Sequence, residues 1–461
     1  MNNTLRLFLL PVAVTVAASL TLAQPAAPTP AAAAAATPAA PPAPADAGPF
    51  KFAFGSATPA TGFTAVRPDT IYSKAAGFGF EAGAKATDDN AAASGVKQSI
   101  MLDFAPAKNI KVGGTGTAAF LTSARPFYFS VAVPEGNYRV TVTFGDPAAA
   151  SENTVKAELR RLMLESVHTD AGQVVTKSFI VNVRQPQYPG GAVRLKSPRE
   201  SVDEFWGWDD KLTLEFNGAH PAVRSVEIAK ADVPTVYIVG DSTSCDQSKE
   251  PWTSWGQMFT NFFKPEIAIA NHGESGEAVA SSLGAHRFDK VYSLLKAGDY
   301  VFVQFGHNDM KGGNVNNYQA SLGRIADEIK KRGATFVLVT PVERSNGANN
   351  NTLAGYPDAV RAVAKEKGVT LVDLHDLSQV LYRAIGDNLK EKAFQDGTHH
   401  NKYGAYEIAK CVVAGLQTAK SPLAQYVVDG FAFDPAKPDP VAEFKVPASG
   451  VVNPSQRPAG D

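Results

Sequence analysis

The sequence predicts an α/β protein in two parts, an antiparallel β-sandwich followed by a parallel sheet covered by helices. Two patterns lead to this reading. Up to about Asp232 apolar residues alternate with polar ones, the period of strands with one buried face. Beyond Val233 they come as short, nearly continuous apolar runs separated by helical stretches, as in strands buried on both faces. The length, 461 residues with 44% hydrophobic and 19% charged, allows two or three domains and excludes a disordered chain.

The elements follow in order. Residues 1–23 contain one basic side chain, Arg6, then an apolar stretch over 7–22 that ends in the small-x-small pattern Thr21-Leu22-Ala23, which reads as a cleaved export signal. The run is too short, and too interrupted by Pro11, for an anchor, and no later stretch is long and apolar enough to span a bilayer. Residues 24–48 are almost wholly Ala, Pro and Thr and are expected to form an extended tether. The sandwich is expected over 49–232. Phe127, Phe129 and Val131 form one face, Val140, Val142 and Phe144 another, and Leu212, Leu214 and Phe216 a third, bounded by turn signals such as Pro134-Glu135-Gly136-Asn137 and Asn217-Gly218. Over 233–432 the buried strands are expected at 236–239, 266–270, 300–303, 336–339 and 369–372, with helices at 318–331, 357–367 and 404–416. Residues 433–461 return to Pro-rich polar sequence and are expected to be a poorly ordered tail.

Forty-four basic against 45 acidic side chains give a net charge of −1, so neither nucleic acid nor, after signal cleavage, a membrane is expected as a partner. Cys245 and Cys411 lack the C-x-x-C spacing of a structural zinc site; they form one bridge at most, which export would favour.

In a parallel sheet the reactive groups gather beyond the carboxyl ends of the strands. The first such end reads Gly240-Asp241-Ser242-Thr243, placing a serine where a nucleophile is held rigidly; the same residue types also cap helices. No G-x-S-x-G occurs. The second reads Asn271-His272-Gly273-Glu274-Ser275-Gly276 and the third Gly306-His307-Asn308-Asp309. A glycine N–H and an asparagine amide from these two loops can converge on one oxyanion, although Asn, Gly and Asp also populate ordinary turns. Near the end, Asp396-Gly397-Thr398-His399-His400 places a carboxylate three residues before an imidazole, suited to orient a general base toward Ser242. Six of eight histidines lie in this half, but there is no H-E-x-x-H and no evident ligand spacing, so neither a metal nor another cofactor is expected.

Taken in order, Gly240-Asp241-Ser242, Gly276, Gly306-x-Asn308-Asp309 and Asp396-x-x-His399 resemble the four blocks of the SGNH (GDSL) hydrolases. Their wording, together with Thr340-Pro341-Val342, is most similar to the rhamnogalacturonan acetylesterase group, carbohydrate esterase family twelve, over Val233 to about Gly430. The resemblance implies a flavodoxin-like three-layer αβα domain. It further implies Ser242 as nucleophile, His399 as base, Asp396 as orienting acid, and an oxyanion hole from the Ser242 and Gly276 N–H groups and the Asn308 side chain. The expected activity is that of a serine esterase removing O-acetyl groups from an acetylated polysaccharide or oligosaccharide of the plant cell wall, outside the cell or in a periplasm.

Many relatives carry Gly-Arg-Ser in the second block, whereas here Gly276 is followed by Glu277 and Ala278. An anion beside the hole disfavours a galacturonate carboxylate unless another cation compensates, which turns the expectation toward neutral acetylated sugars such as xylan. Glu277, His272, His307 and His400 are candidate sugar-pocket residues, with His400 also a rival to His399 as base. Packing or hydrogen bonding in support is the alternative role for the three histidines. The amino-terminal half resembles the galactose-binding-like sandwich found before some bacterial esterase domains, through Phe52-Ala53-Phe54-Gly55 and the run Trp208-Asp209-Asp210-Lys211-Leu212-Thr213-Leu214-Glu215-Phe216. Trp206, Trp208 and Tyr188 are the aromatics there that either stack on sugars or simply pack, the alternative role being a domain that only shapes one wall of the esterase cleft. Two rival functions stay open at this point: hydrolysis of lipid or thioester acyl groups, and carbohydrate binding without catalysis.

Overall fold

The structure, a computed structural model, describes residues 49–81 and 107–450. The expected export signal and tether lie outside the described residues. Among those described, no helix is long and apolar enough to cross a membrane.

The amino-terminal part consists of two facing sheets. One runs in the order Val175–Val183, Gly136–Phe144, Val223–Lys230, Phe50–Phe54, Thr64–Val66, with Phe120–Thr122 and Lys111–Gly113 added beside Val223–Lys230. The other is Phe78–Phe80, Phe127–Ala132, Lys211–His220, Ser151–Ala157, Arg161–Thr169. Pairing is antiparallel except between Phe50–Phe54 and Thr64–Val66, which run parallel. The alternating residues read from sequence meet in one core, where Phe52, Phe54, Phe129 and Phe216 pack edge to face. Each such ring contributes about 1.5–3 kcal/mol by leaving water. The alternation fails in several strands, where residues of both faces are buried. Along Phe127–Ala132 the outward residues Tyr128 and Ser130 are buried too: Trp206 and Leu159 cover Tyr128, and the Ser130 hydroxyl meets Thr213 Oγ1 and Glu81 Oε1 at 2.9 and 2.6 Å.

The second part is a five-stranded parallel sheet: β1 (Thr235–Gly240), β2 (Ala268–Asn271), β3 (Tyr300–Gln304), β4 (Thr335–Val339) and β5 (Thr370–Val372), in the order β2-β1-β3-β4-β5. Helices α1 (Trp255–Phe259), α2 (Val279–Gly284), α3 (Arg287–Leu294), α4 (Val315–Lys331), α5 (Tyr356–Lys367), α6 (Leu374–Ile385), α7 (Leu389–Ala393) and α8 (Lys402–Thr418) surround it. Val236, Ile238, Phe302, Val337 and Val339 pack one face of the sheet against α1, α6 and α8. Tyr237, Val239, Val301, Val303 and Leu338 pack the opposite face against α2, α3, α4 and α5. The result is a three-layer αβα domain. Alternate residues of each strand thus enter two different cores, which is why the strands read as unbroken apolar runs. Helices α4 and α8 begin before their first periodic residues because Asn314 accepts from the N–H groups of Asn316 and Asn317, and Asn401 from that of Gly404.

The two parts are fastened by buried charge. Arg161 donates to the Ile269 and Asn182 carbonyls at 3.0 and 2.9 Å, and its Nε lies 3.4 Å from the Asp246 carboxylate. Residues 434–450 differ from the tail expected over 433–461, of which 451–461 lie outside the described residues. Pro447 O and Ser449 Oγ accept from buried Lys156, Asp439 pairs with Lys410 at 2.6 Å, and Val446 is buried. Proline-rich chain with no periodicity still binds a surface when its carbonyls meet otherwise unpaired donors.

Candidate active site

Strand β1 ends at Gly240, where a Cβ would sit 2.2 Å from Ser244 Oγ and 2.5 Å from Gln304 O, so only glycine lets the chain turn there. The turn is then locked. Asp241 Oδ1 accepts from the Thr243 N–H at 3.0 Å and the Thr243 hydroxyl at 2.7 Å, and Gln247 Nε2 donates to Ser242 O at 2.7 Å. Asp241 is fully buried: burial alone would raise its carboxyl, but His307, 3.3 Å away through Nδ1, and the Thr243 donors hold it below its ordinary value.

His399 Nε2 lies 2.8 Å from Ser242 Oγ, and His399 Nδ1 lies 2.9 Å from Asp396 Oδ2. Asp396 Oδ1 accepts from the N–H groups of Thr398 and His399 at 2.8 and 2.7 Å. Burial would push the Asp396 carboxyl up, but the bonds from the His399 ring and from this turn outweigh it and hold it well below the usual carboxylate range. An ionised Asp396 can only accept, so Nδ1 of His399 carries the proton and Nε2 is the acceptor that faces the Ser242 hydroxyl. The three groups form one row able to move a proton from oxygen to nitrogen.

Two loops lie beside the turn that bears Ser242: Gln247 Nε2 reaches Ser275 Oγ at 3.2 Å as well as Ser242 O, and His307 Nδ1 meets Asp241. Gly276 has φ +75°, a left-handed conformation suited to glycine. Neither its N–H nor that of Ser242 donates to another group among the described residues. Asn308 Nδ2 donates to Glu277 O at 3.0 Å, which joins the second and third motifs and leaves its second amide hydrogen unspent.

The remaining sequence candidates are placed as follows. His400 Nε2 sits 2.8 Å from Tyr382 Oη and its ring lies 4.3 Å from that of Phe394. Burial, with His399 and His307 adding, pushes its pKa down to about 3, so it is a neutral supporting residue and not a competing base. His272 is fully buried between Trp208 and Tyr237, has no hydrogen-bond partner among the described residues, and is held neutral by burial and the surrounding arginines. Packed this way it is closed to a sugar. His307 is buried against Asp241. Glu277 is buried and its Oε1 meets Lys196 Nζ at 2.8 Å, so the cation that its charge calls for comes from a distant stretch of chain. Trp206 and Trp208 are also buried, the latter bonding Glu200 through Nε1 at 3.0 Å and stacking on Arg184, while Tyr188 is half-buried in the short hairpin that pairs Gln187 with Ala192. Cys245 and Cys411 are separate buried thiols; the bridge favoured by export does not form.

Sequence reasoning passed over Trp252, whose indole Nε1 donates to Asp396 Oδ2 at 3.3 Å, and Lys196 and Arg199, which grip Ser275 beside Gly276 at 2.6 Å (Ser275 O) and 2.7 Å (Ser275 Oγ). Trp252 stands ten residues after Ser242 behind Glu250-Pro251, the sole sequence signal of a shaped loop there.

Residues 238–405 match the model of the GDSL-like lipase/acylhydrolase family, and residues 50–187 that of the β-agarase/YXIM esterase-like, galactose-binding domain-like family. The chain is 34% identical over 217 residues to the rhamnogalacturonan acetylesterase RhgT of Bacillus subtilis strain 168, covering 42% of this chain and 94% of that protein. It is 24% identical over 382 residues to the uncharacterized esterase YxiM of the same strain, covering 80% of this chain and 90% of that protein. The crystal structure of B. subtilis YxiM aligns with 81% of this chain and 99% of its own, at 20% identity and a TM-score of 0.41. With the Ser242–His399–Asp396 row at the ends of a parallel sheet and a relative matched over nearly its whole length, the chain belongs to the GDSL-like lipase/acylhydrolase family of ester hydrolases and bears a galactose-binding-like domain ahead of the hydrolase domain.

Proposed function

We propose that this ester hydrolase is exported and removes O-acetyl groups from a plant cell-wall polysaccharide, and that the backbone it prefers is acidic. The observation that supports catalysis most directly is the 2.8 Å approach of His399 Nε2 to Ser242 Oγ with Asp396 behind it. In the first step His399 takes the Ser242 proton as Oγ bonds to the acetyl carbonyl carbon. The carbonyl oxygen, now negative, is held by the N–H groups of Ser242 and Gly276 and by Asn308 Nδ2. The sugar oxygen then leaves with the proton from His399. Water attacks the acetyl-serine, giving its proton to His399, and acetate departs as Ser242 regains the proton.

Two charges speak for an acidic chain. Lys196 neutralises Glu277 and removes the objection that an anion flanks the hole. Arg344 is half-buried between Thr398, next to His399, and Met310, two residues after Asn308. Its guanidinium touches only neutral acceptors: Thr398 Oγ1 at 3.4 Å, Met310 Sδ at 3.4 Å and Thr352 O at 3.3 Å, with no carboxylate within ion-pair distance among the described residues. A fork of this kind suits the carboxylate of a uronate neighbouring the acetylated sugar. The similarity to a protein named rhamnogalacturonan acetylesterase points the same way.

The test is acetate release from acetylated rhamnogalacturonan, pectin, xylan and mannan, with Ser242→Ala beside the wild type. Loss of all release in Ser242→Ala and preference for the acidic polymers are expected; faster release from xylan or mannan would overturn the substrate assignment. Arg344→Met should raise KM for acetylated rhamnogalacturonan about tenfold more than for p-nitrophenyl acetate, the loss of one charge-assisted contact. Equal changes on the two substrates would remove Arg344 from recognition. Export is checked by the amino terminus of the mature protein, expected near Gln24.

A further inference from the structure

The hairpin between the sandwich strands Ser151–Ala157 and Arg161–Thr169 turns through Glu158, Leu159 and Arg160, and two of these are strained: Glu158 has φ +54° and Arg160 φ +65°. Left-handed backbone at non-glycine residues persists where surrounding contacts enforce it. Here the tip is pressed into the hydrolase domain. Leu159 O accepts from Gln257 Nε2 at 2.7 Å, and the Arg160 side chain is buried. Its Nη1 donates to Gln247 O at 2.9 Å and Trp252 O at 3.1 Å, while Nη2 reaches Thr253 Oγ1 at 3.4 Å and the Glu250 carboxylate at 2.9 Å.

All four partners lie on the loop 247–253, and that loop touches the reactive row at both ends. Gln247 Nε2 holds Ser242 O, and the Trp252 indole holds Asp396 Oδ2. We propose that Arg160, a residue of the sandwich, is a positioning residue for ester hydrolysis: it fixes the loop from which Trp252 sets the Asp396 carboxylate against His399. The proposal rests on the reading of Ser242, His399 and Asp396 as the catalytic row, and it makes the sandwich a structural part of the active site, whether or not it binds sugar.

The chemistry has a signature that simple fastening lacks. Asp396 Oδ2 accepts from both His399 Nδ1 and Trp252 Nε1. A donor on that oxygen draws off negative charge that would otherwise stabilise the imidazolium, so deleting it makes His399 more basic. The acid limb of the kcat/KM profile on p-nitrophenyl acetate should therefore move up by about half a pH unit in Trp252→Phe, which keeps the packing and removes the N–H. Arg160→Lys, which preserves the charge beside Glu250, should lower kcat about fivefold at constant KM, because a loosened row spoils the near-attack geometry, and move the limb in the same direction, because a displaced loop carries the Trp252 N–H away from Asp396. In the Trp252→Phe background the Arg160→Lys effect should shrink to less than half on both readouts, the mark of two residues acting through one group. Arg160→Lys and Trp252→Phe variants that lower the melting temperature but leave kcat and the acid limb at wild-type values would overturn the proposal, as would independent, multiplicative losses. Ser242→Ala in the same assay separates the two ideas: activity surviving there defeats the catalytic reading itself, whereas its loss with an unmoved acid limb defeats only the role of Arg160.

Discussion

Replacing Asn308 by alanine removes two interactions at once, and their sizes separate cleanly. The first is the hydrogen bond from Nδ2 to Glu277 O, 3.0 Å long, which ties the third motif to the loop that bears Gly276. Such a bond is worth about 1 kcal/mol of stability. The loop does not depend on it alone, since Lys196 holds Ser275 O at 2.6 Å and Arg199 holds Ser275 Oγ at 2.7 Å. In a domain of this size the melting temperature should fall by about 2–4 °C. The second is the proposed contact of the remaining amide hydrogen with the oxyanion. Loss of one such donor costs about 2.7–4 kcal/mol in the transition state, or about 10²–10³ in kcat. Asn308→Ala should therefore be folded at 25 °C, bind p-nitrophenyl acetate with a near-wild-type KM, and turn it over several hundredfold more slowly. Asn308→Asp should be worse still, because a carboxylate of the same shape faces both Glu277 O and the forming negative charge. The assay is steady-state kinetics paired with a thermal melt of each variant. A folded Asn308→Ala enzyme within threefold of wild-type kcat would refute the three-donor hole.

Other outcomes follow from the buried groups. Burial, reinforced by Asp241 and opposed by the Val279 N–H, pushes the Asp309 carboxyl up to about 7. Between pH 4 and 7 the unfolded chain has released this proton and the folded chain has kept it, so the contribution of Asp309 to stability is fully present below pH 4 and is lost at about 1.4 kcal/mol per pH unit as pH rises to 7, roughly 4 kcal/mol in all. Asp309→Asn should flatten that part of the stability profile, measured by urea unfolding at pH 4, 5.5 and 7; an unchanged slope would refute the assignment. Burial also pushes the thiols of Cys245 and Cys411 well up. Neither should react with a thiol reagent in the native protein at pH 8, and two thiols per chain should titrate in guanidinium without reductant; fewer than two would mean a bridge.

The parallel sheet was legible because both faces of each strand are covered. Val236 and Ile238 enter one core and Tyr237 and Val239 the other, yet all are apolar, and the run itself marks the strand. The candidate row was legible for a related reason. Ser242 and Asn308 follow the ends of β1 and β3 beside Gly240 and Gly306, and His399 precedes the Asn401 cap of α8, so their types and order survive in one dimension. His400 beside His399 shows where that ends. Sequence cannot tell two adjacent imidazoles apart, whereas burial against Phe394 and the bond to Tyr382 assign one to packing. The second strand was expected slightly early, at 266–270, because Ile267 extends the apolar run before the ladder with β1 begins at Ala268.

The electrostatics of the oxyanion loop were not legible, and the reason is general to composite sites. A sequence motif reports the charge it contains, and Glu277 reports an anion where relatives carry a cation. Its field at the site is set by what lies within a few ångströms in space. Lys196 stands about eighty positions earlier in a stretch whose own pattern says only loop, and it closes to 2.8 Å on Glu277. Arg199 from the same stretch meets Glu274 at 2.9 Å, and Arg287 from α3 approaches Glu277 at 4.0 Å. At such separations, inside a region of low polarity, each pairing outweighs any exposed charge further off. Substituting Glu277 alone would thus leave Lys196 without its partner beside the hole, changing the local field by a full unit in the direction opposite to the motif's apparent sign.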